Sequence, residues 1–192
     1  MPAEYVRKER EHEMTLIVDR ARNGDQTAWN EIVRRFTPLV IAIGRAHGLS
    51  NVDILDASQF VWLRLVEHLD RLREPQALAG WIAVTARHEC YSLSRTARRM
   101  ATPLAVDHLA TSFVDEDVLD RLEREEVGRA FTRLSDRCRE LLAVLVADQP
   151  LPYAQIAVAL DMPIGSIGPT RARCLDQLRR LLHATDTPKE RT

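Results

Sequence analysis

The stretch Pro152-Tyr153-Ala154-Gln155-Ile156-Ala157-Val158-Ala159-Leu160-Asp161-Met162-Pro163-Ile164-Gly165-Ser166-Ile167 decides how this chain is read. Pro152 suits a helix start, because its fixed φ is already helical and its missing amide would have no partner there. Ile156, Ala157 and Leu160 share one apolar face. Asp161, Met162 and Pro163 make a tight break, and Ser166 is placed to cap a second helix. In that second helix Ile167, Cys174, Leu178 and Leu181 form an inward stripe, leaving Arg173 and Arg180 on the opposite side. A short helix, a tight turn and a second helix with a basic outer face describe a helix-turn-helix, which sets its second helix in the major groove. A plain helical hairpin closing a bundle would carry the same pattern.

Upstream, the periodicity stays helical. Asp25 can cap a helix in which Trp29, Ile32, Val33, Phe36, Val40 and Ile43 recur at spacings of three and four. Pro38 lies inside that pattern and is expected to kink or divide it; Gly48 reads as a stop. A second pattern runs from about Asp53 to Leu69, and a third begins near Ala77 with Leu78, Trp81, Ile82 and Thr85. Asp70 to Gln76 reads as a loop between them. Periodicity weakens from Ala101 to Asp117, where Pro103, Thr102, Thr111 and Ser112 precede the acids Asp115, Glu116 and Asp117, the composition of a flexible linker. It resumes near Val118 to Leu134 and again from Ser135 to Ala147, ahead of the helix-turn-helix.

Composition agrees with an all-α chain. Of 192 residues 45% are hydrophobic, enough for ordinary cores, but only 5% are aromatic, which disfavours a sandwich built from aromatic and β-branched strands. The net charge of −1 hides an asymmetry: residues 1–100 carry 15 cations against 13 acids, residues 101–126 carry 2 against 8, and residues 127–192 carry 10 against 7. Two mildly basic segments therefore flank an acidic one. No apolar run approaches the ~20 residues that cross a bilayer, and the first 13 residues are crowded with charge, so a soluble, cytoplasmic chain without a membrane partner is expected. Cys90, Cys138 and Cys174 form no C-x-x-C pair. Their spacing argues against a disulfide framework or a zinc site and reads as small core or surface residues.

Three constellations could carry function. Arg87, Tyr91, Arg95 and Arg98 recur at four, four and three, with Arg99 beside them, so cations and an aromatic share one helical face. Such a face can meet phosphates while the ring stacks on an exposed base; a solvated helix face has the same look. Asp56 and Gln59 are neighbours on another helix, beside Phe60. The third is the basic face of the final helix. The six histidines lack ligand spacing, no glycine-rich phosphate loop occurs, and no catalytic motif appears, so no enzyme, metal or cofactor is expected.

The order of these pieces resembles bacterial RNA polymerase sigma factors of the extracytoplasmic-function type. Leu16 to Arg99 is similar to sigma region two: Gly24-Asp25-x-x-Ala28-Trp29, then Asp56-x-x-Gln59-x-x-Trp62-Leu63-Arg64-Leu65, then Trp81-Ile82-x-x-x-Ala86-Arg87 and the arginine cluster. Glu126 to Leu182 is similar to region four in Leu134-x-x-x-x-Arg139-Glu140-Leu141-Leu142, Tyr153-x-x-Ile156-Ala157 and Met162-Pro163-Ile164-Gly165-Ser166-Ile167.

The resemblance implies two small helical domains, residues 1–100 and 118–192, joined by an acidic flexible linker at 101–117. It implies that Asp56, Gln59 and Arg64 contact core RNA polymerase. It also implies that Arg73 to Ala79 and the residues Arg87, Tyr91, Arg95, Arg98 and Arg99 melt and read promoter DNA near minus ten. Ser166, Thr170, Arg171 and Arg173 would meet the element near minus thirty-five, and an anti-sigma factor is a further implied partner. Seventeen linker residues reach at most ~55 Å, close to the ~55 Å that sixteen base pairs span. Read without the resemblance, the residues leave open a helix-turn-helix regulator whose N-terminal half is a sensor or dimerisation domain.

Overall fold

A computed structural model describes residues 3–100, 118–147 and 151–184. Among them the chain forms α1 (Ala3–Arg22), α2 (Gln26–Ala46), α3 (Asn51–His68), α4 (Leu78–Met100), α5 (Val118–Thr132), α6 (Asp136–Leu145), α7 (Tyr153–Ala159) and α8 (Ile167–His183), and no strand. Short 3₁₀ turns lie at Leu69–Arg71, Pro75–Ala77 and Ile164–Ser166. The expected all-α class holds. The linker read at 101–117 lies outside the described residues.

Helix α2 is the hub, packing against α1, α3, α4 and α6. Asp25 caps it as expected, its carboxylate accepting the Thr27 and Ala28 amides at 2.8 and 3.2 Å. Ile32, Phe36, Leu39, Val40 and Ile43 are buried along its length, each contributing ~1.5–3 kcal/mol by leaving water. That burial explains one departure from expectation. Pro38 neither ends nor divides α2, which runs continuously through it; apolar contacts on both sides of the proline outweigh its missing amide bond. Ser50 and Ser135 cap α3 and α6.

Helix α1 carries no clear signal in the sequence, because charged residues crowd its first three turns; farther along, Met14, Val18 and Ala21 are buried. Ser166 departs from expectation too. It ends the Ile164–Ser166 turn in helical geometry and donates its hydroxyl to the Pro163 carbonyl at 2.7 Å rather than capping α8. The cysteine reading needs the largest correction. Cys138 and Cys174 are joined in a disulfide, because α6 packs on α8 and brings their Cα atoms to 5.4 Å. A separation of 36 in sequence conceals such proximity.

The apolar interior is continuous between the chain's two halves. Leu141, Val144, Ile156, Ala159 and Ile167 join the same cluster as Phe36, Leu78 and Ile82. Helix α6 packs on α2 and α7 on α4. At the α4–α7 contact Gly80 lies close against Val158: a Cβ there would stand 3.2 Å from both the Val158 carbonyl oxygen and its Cγ1, tighter than most real Cβ contacts. A second, smaller cluster of Leu134, Leu142 and Cys174 seats α8 on α5 and α6.

Candidate nucleic-acid interface

Helix α4 buries Leu78, Ala79, Ile82, Ala83, Ala86 and Cys90, which turns Arg87, Tyr91 and Arg95 away from that core. Arg87 is half-buried, and Tyr91 and Arg95 are exposed; the side chains of Arg98 and Arg99 fall outside the described residues. The structure does not leave Arg87 and Tyr91 open to a ligand. Both are held by α6.

Glu140 is the anchor, only 6% exposed. Arg87 donates Nε–H to both of its carboxylate oxygens at 2.8 and 3.0 Å, and His47 donates Nε2–H to Oε1 at 2.9 Å. The Arg87 guanidinium also donates to the Ala159 carbonyl at 2.8 Å. One turn along α4, the Tyr91 hydroxyl donates to Asp136 at 2.9 Å, and the His47 and Tyr91 rings meet edge-on with centroids 4.7 Å apart. A carboxylate this buried is tolerable only because two donors satisfy it.

Burial by itself would push the Glu140 carboxyl up, but the His47 hydrogen bond and the Arg87 charge more than offset it and hold the group below its usual 4.5. The Tyr91 hydrogen bond, with help from Arg139, likewise lowers Asp136 below 3.8. Carboxylates depressed in the folded state stabilise it above their unfolded values and lose that contribution as pH falls through the folded ones. Thermal melts stepped from pH 7 to pH 3 are therefore expected to hold level for these groups down to about 4.5 and to drop below it. The substitution Glu140→Gln should blunt that drop; an acid limb unchanged in the variant would remove Glu140 from its cause.

On α3 the outer face combines Asp56, Gln59 and Arg64, all exposed, with Val52, Leu55, Leu63 and Val66, each more than 60% exposed. The Arg64 guanidinium lies 5.2 Å from the Phe60 ring centroid and pairs with Glu67 at 3.1 Å. Four exposed aliphatic side chains on one helix, interleaved with polar groups, are the anatomy of a protein-docking face. In the loop before Trp81, Arg73 and Gln76 are exposed whereas Leu78 and Ala79 are buried, and Trp81 stacks on His68 with centroids 4.8 Å apart.

Helix α8 displays Arg171 and Arg173 to solvent, with Arg173 donating to Thr170 Oγ1 at 3.1 Å. Ser166 and Thr170 are partly buried at its start. Farther on, Arg180 pairs with Asp176 at 3.1 Å. The structure thus gathers Arg87 and Tyr91 into one contact with α6 and leaves the α3 and α8 faces open. The sequence reading missed His47, Asp136 and Glu140 as functional groups. The available signal was Glu140 itself, an acid set among Leu141, Leu142 and Val144 on the inward side of a helix.

Among the described residues no group of three or more His, Cys, Asp or Glu side chains could hold a metal, and no helix is long and apolar enough to cross a membrane.

Residues 32–100, which run from within α2 through α3 to the end of α4, match the sigma-70 region 2 family. No curated protein matches the chain. Among solved structures, that of CnrH in complex with the cytosolic domain of CnrY shares the fold with a TM-score of 0.59 at 19% identity, covering 90% of this chain and 97% of that one.

Proposed function

We propose that this chain is a dissociable, non-enzymatic sigma subunit that binds core RNA polymerase and directs it to promoters. The observation that carries the reading is the region 2 match over residues 32–100, whose α3 presents Asp56, Gln59 and Arg64 within an exposed aliphatic face. In this reading that face docks on the polymerase. Residues 1–100 and 118–192 act as two modules, with 101–117 as the tether. Arg73 to Ala79 with Arg87, Tyr91, Arg95, Arg98 and Arg99 open and read the element near minus ten. Ser166, Thr170, Arg171 and Arg173 meet the duplex near minus thirty-five. Extruding a base costs a few kcal/mol, which phosphate contacts and a pocket for the freed base offset.

The α6 contacts make the described arrangement a closed one. Arg87 and Tyr91 reach DNA only after α6 and α7 leave α4, and docking on polymerase supplies the competing interactions. CnrH was captured with the cytosolic domain of CnrY, which favours a similar anti-sigma partner that works inside the cell.

Run-off transcription with purified core polymerase tests the reading: the chain should confer specific initiation, whereas a plain helix-turn-helix regulator confers none without another sigma. Replacing Asp56 and Gln59 together by alanine should weaken core binding by about 1–2 kcal/mol, roughly 5- to 30-fold, with helicity unchanged. Equal affinity in a core-binding titration would take these two residues out of the interface.

A further inference from the structure

The three cysteines sit in different surroundings. Cys90 is buried in the main core, and its thiol is pushed up to about 12 by burial and by Glu140 nearby; a thiol so held is inert. Cys138 is half-buried in the first turn of α6, where it packs against the small apolar cluster. Cys174 is 1% exposed beneath it, on the inner side of α8. The pair therefore joins a half-buried residue to a more deeply sheltered one, already at bonding distance.

The position of the bond matters as much as its existence. Among the described residues, the cluster that seats α8 buries Leu134, Leu142 and Cys174, supported by the partly buried Phe131, Cys138, Leu175, Leu178 and Leu181. Sparse cores of this kind draw much of their stability from a covalent staple. The loop closed by the bond contains α7 and the start of α8, including Arg171 and Arg173. If the chain works beside polymerase inside the cell, as proposed above, it meets a pool of reduced thiols that keeps most protein disulfides open.

We propose that Cys138 and Cys174 form a reversible disulfide, exchanging with low-molecular-weight thiol disulfides of the glutathione type, that switches the seat of the recognition helix between a loose and a stapled state. The Cys138 thiolate attacks the small disulfide, forming a mixed disulfide and expelling one thiolate, which takes up the proton Cys138 gave. The Cys174 thiolate then attacks the Cys138 sulfur and expels the second small thiol, protonated in the same way. Two electrons pass from the protein to the small disulfide, which leaves as two thiols. Reduction runs the same steps backward. Oxidation hardens the platform under Arg171 and Arg173; reduction leaves α8 resting on its thin apolar cluster.

The test equilibrates the purified full chain in excess reduced glutathione or excess glutathione disulfide, followed by alkylation mass spectrometry and thermal melting. The crosslinked fraction should rise from roughly a tenth or less to roughly nine-tenths or more between the two buffers, and the melting temperature by about 5–15 °C. Cys138→Ser and, separately, Cys174→Ala should melt at the same temperature in both buffers, whereas Cys90→Ala should keep the difference. A bond that never forms in glutathione disulfide, one that survives excess reduced glutathione, or equal melting of the two wild-type forms would each overturn the switch. Neither polymerase nor promoter enters these measurements, so the switch and the sigma reading can fail independently.

Discussion

Replacing Glu140 by alanine is expected to destabilise the closed packing of the two halves by about 3–5 kcal/mol. The carboxylate holds Arg87 from α4 and His47 from the end of α2 at once, and the His47 and Glu140 side chains are 5% and 7% exposed. Truncation leaves a buried imidazole without its acceptor and a guanidinium retaining only the Ala159 carbonyl. Partial exposure of Arg87, at 23%, places the cost toward the lower end of that range. The same change has a second, opposite consequence for nucleic acid. Arg87 and Tyr91 lose the helix that occupies them, so binding to fork-junction DNA in the absence of polymerase should tighten and become more sensitive to salt. Denaturant unfolding and a salt-stepped DNA titration read the two effects separately. Wild-type stability in the variant would mean that Glu140 does not hold the halves together.

Truncating Ile156 to alanine is the second large effect, about 2–5 kcal/mol, since this side chain is wholly buried in α7 and a cavity would remain behind α4. At roughly 2–4 °C per kcal/mol for a chain of this size, the melting temperature should fall by about 5–15 °C. The informative part is where the fall is seen. Trp29, Trp62 and Trp81 all lie in the first half of the chain, so their fluorescence reports elements distant in sequence from Ile156 that share its core. Because the apolar core is continuous, the tryptophan transition should move together with the loss of helicity. A tryptophan midpoint left in place while helicity melts early would show that the halves unfold as strangers.

Much of this arrangement is legible in the residues alone. Spacings of three and four marked α2, α3, α4 and the pair α7 and α8, and the capping carboxylate of Asp25 fell where it was expected. Helix α1 was invisible because charged residues crowd its first three turns, and Pro38 misled because local propensity yields to burial on both sides of a helix. The site was only half readable. Periodicity says that Arg87 and Tyr91 point away from their own core, but not which distant segment will come to meet them. Glu140 lies 53 positions from Arg87 and 93 from His47, and Cys174 lies 36 from Cys138. Pairings of that reach are set by how helices stack, which no window of sequence contains.

The place where Gly80 touches Val158 acts as a keyhole for the whole closed form. Two helices come this near most easily where one contributes a hydrogen atom instead of a side chain, and Gly80 is the one glycine of α4. Sliding the rear half along α4 by one turn, about 5.4 Å, would bring the branched side chain of Val84 to the spot and push the helices apart. The contact therefore favours the one register in which Gly80 faces Val158.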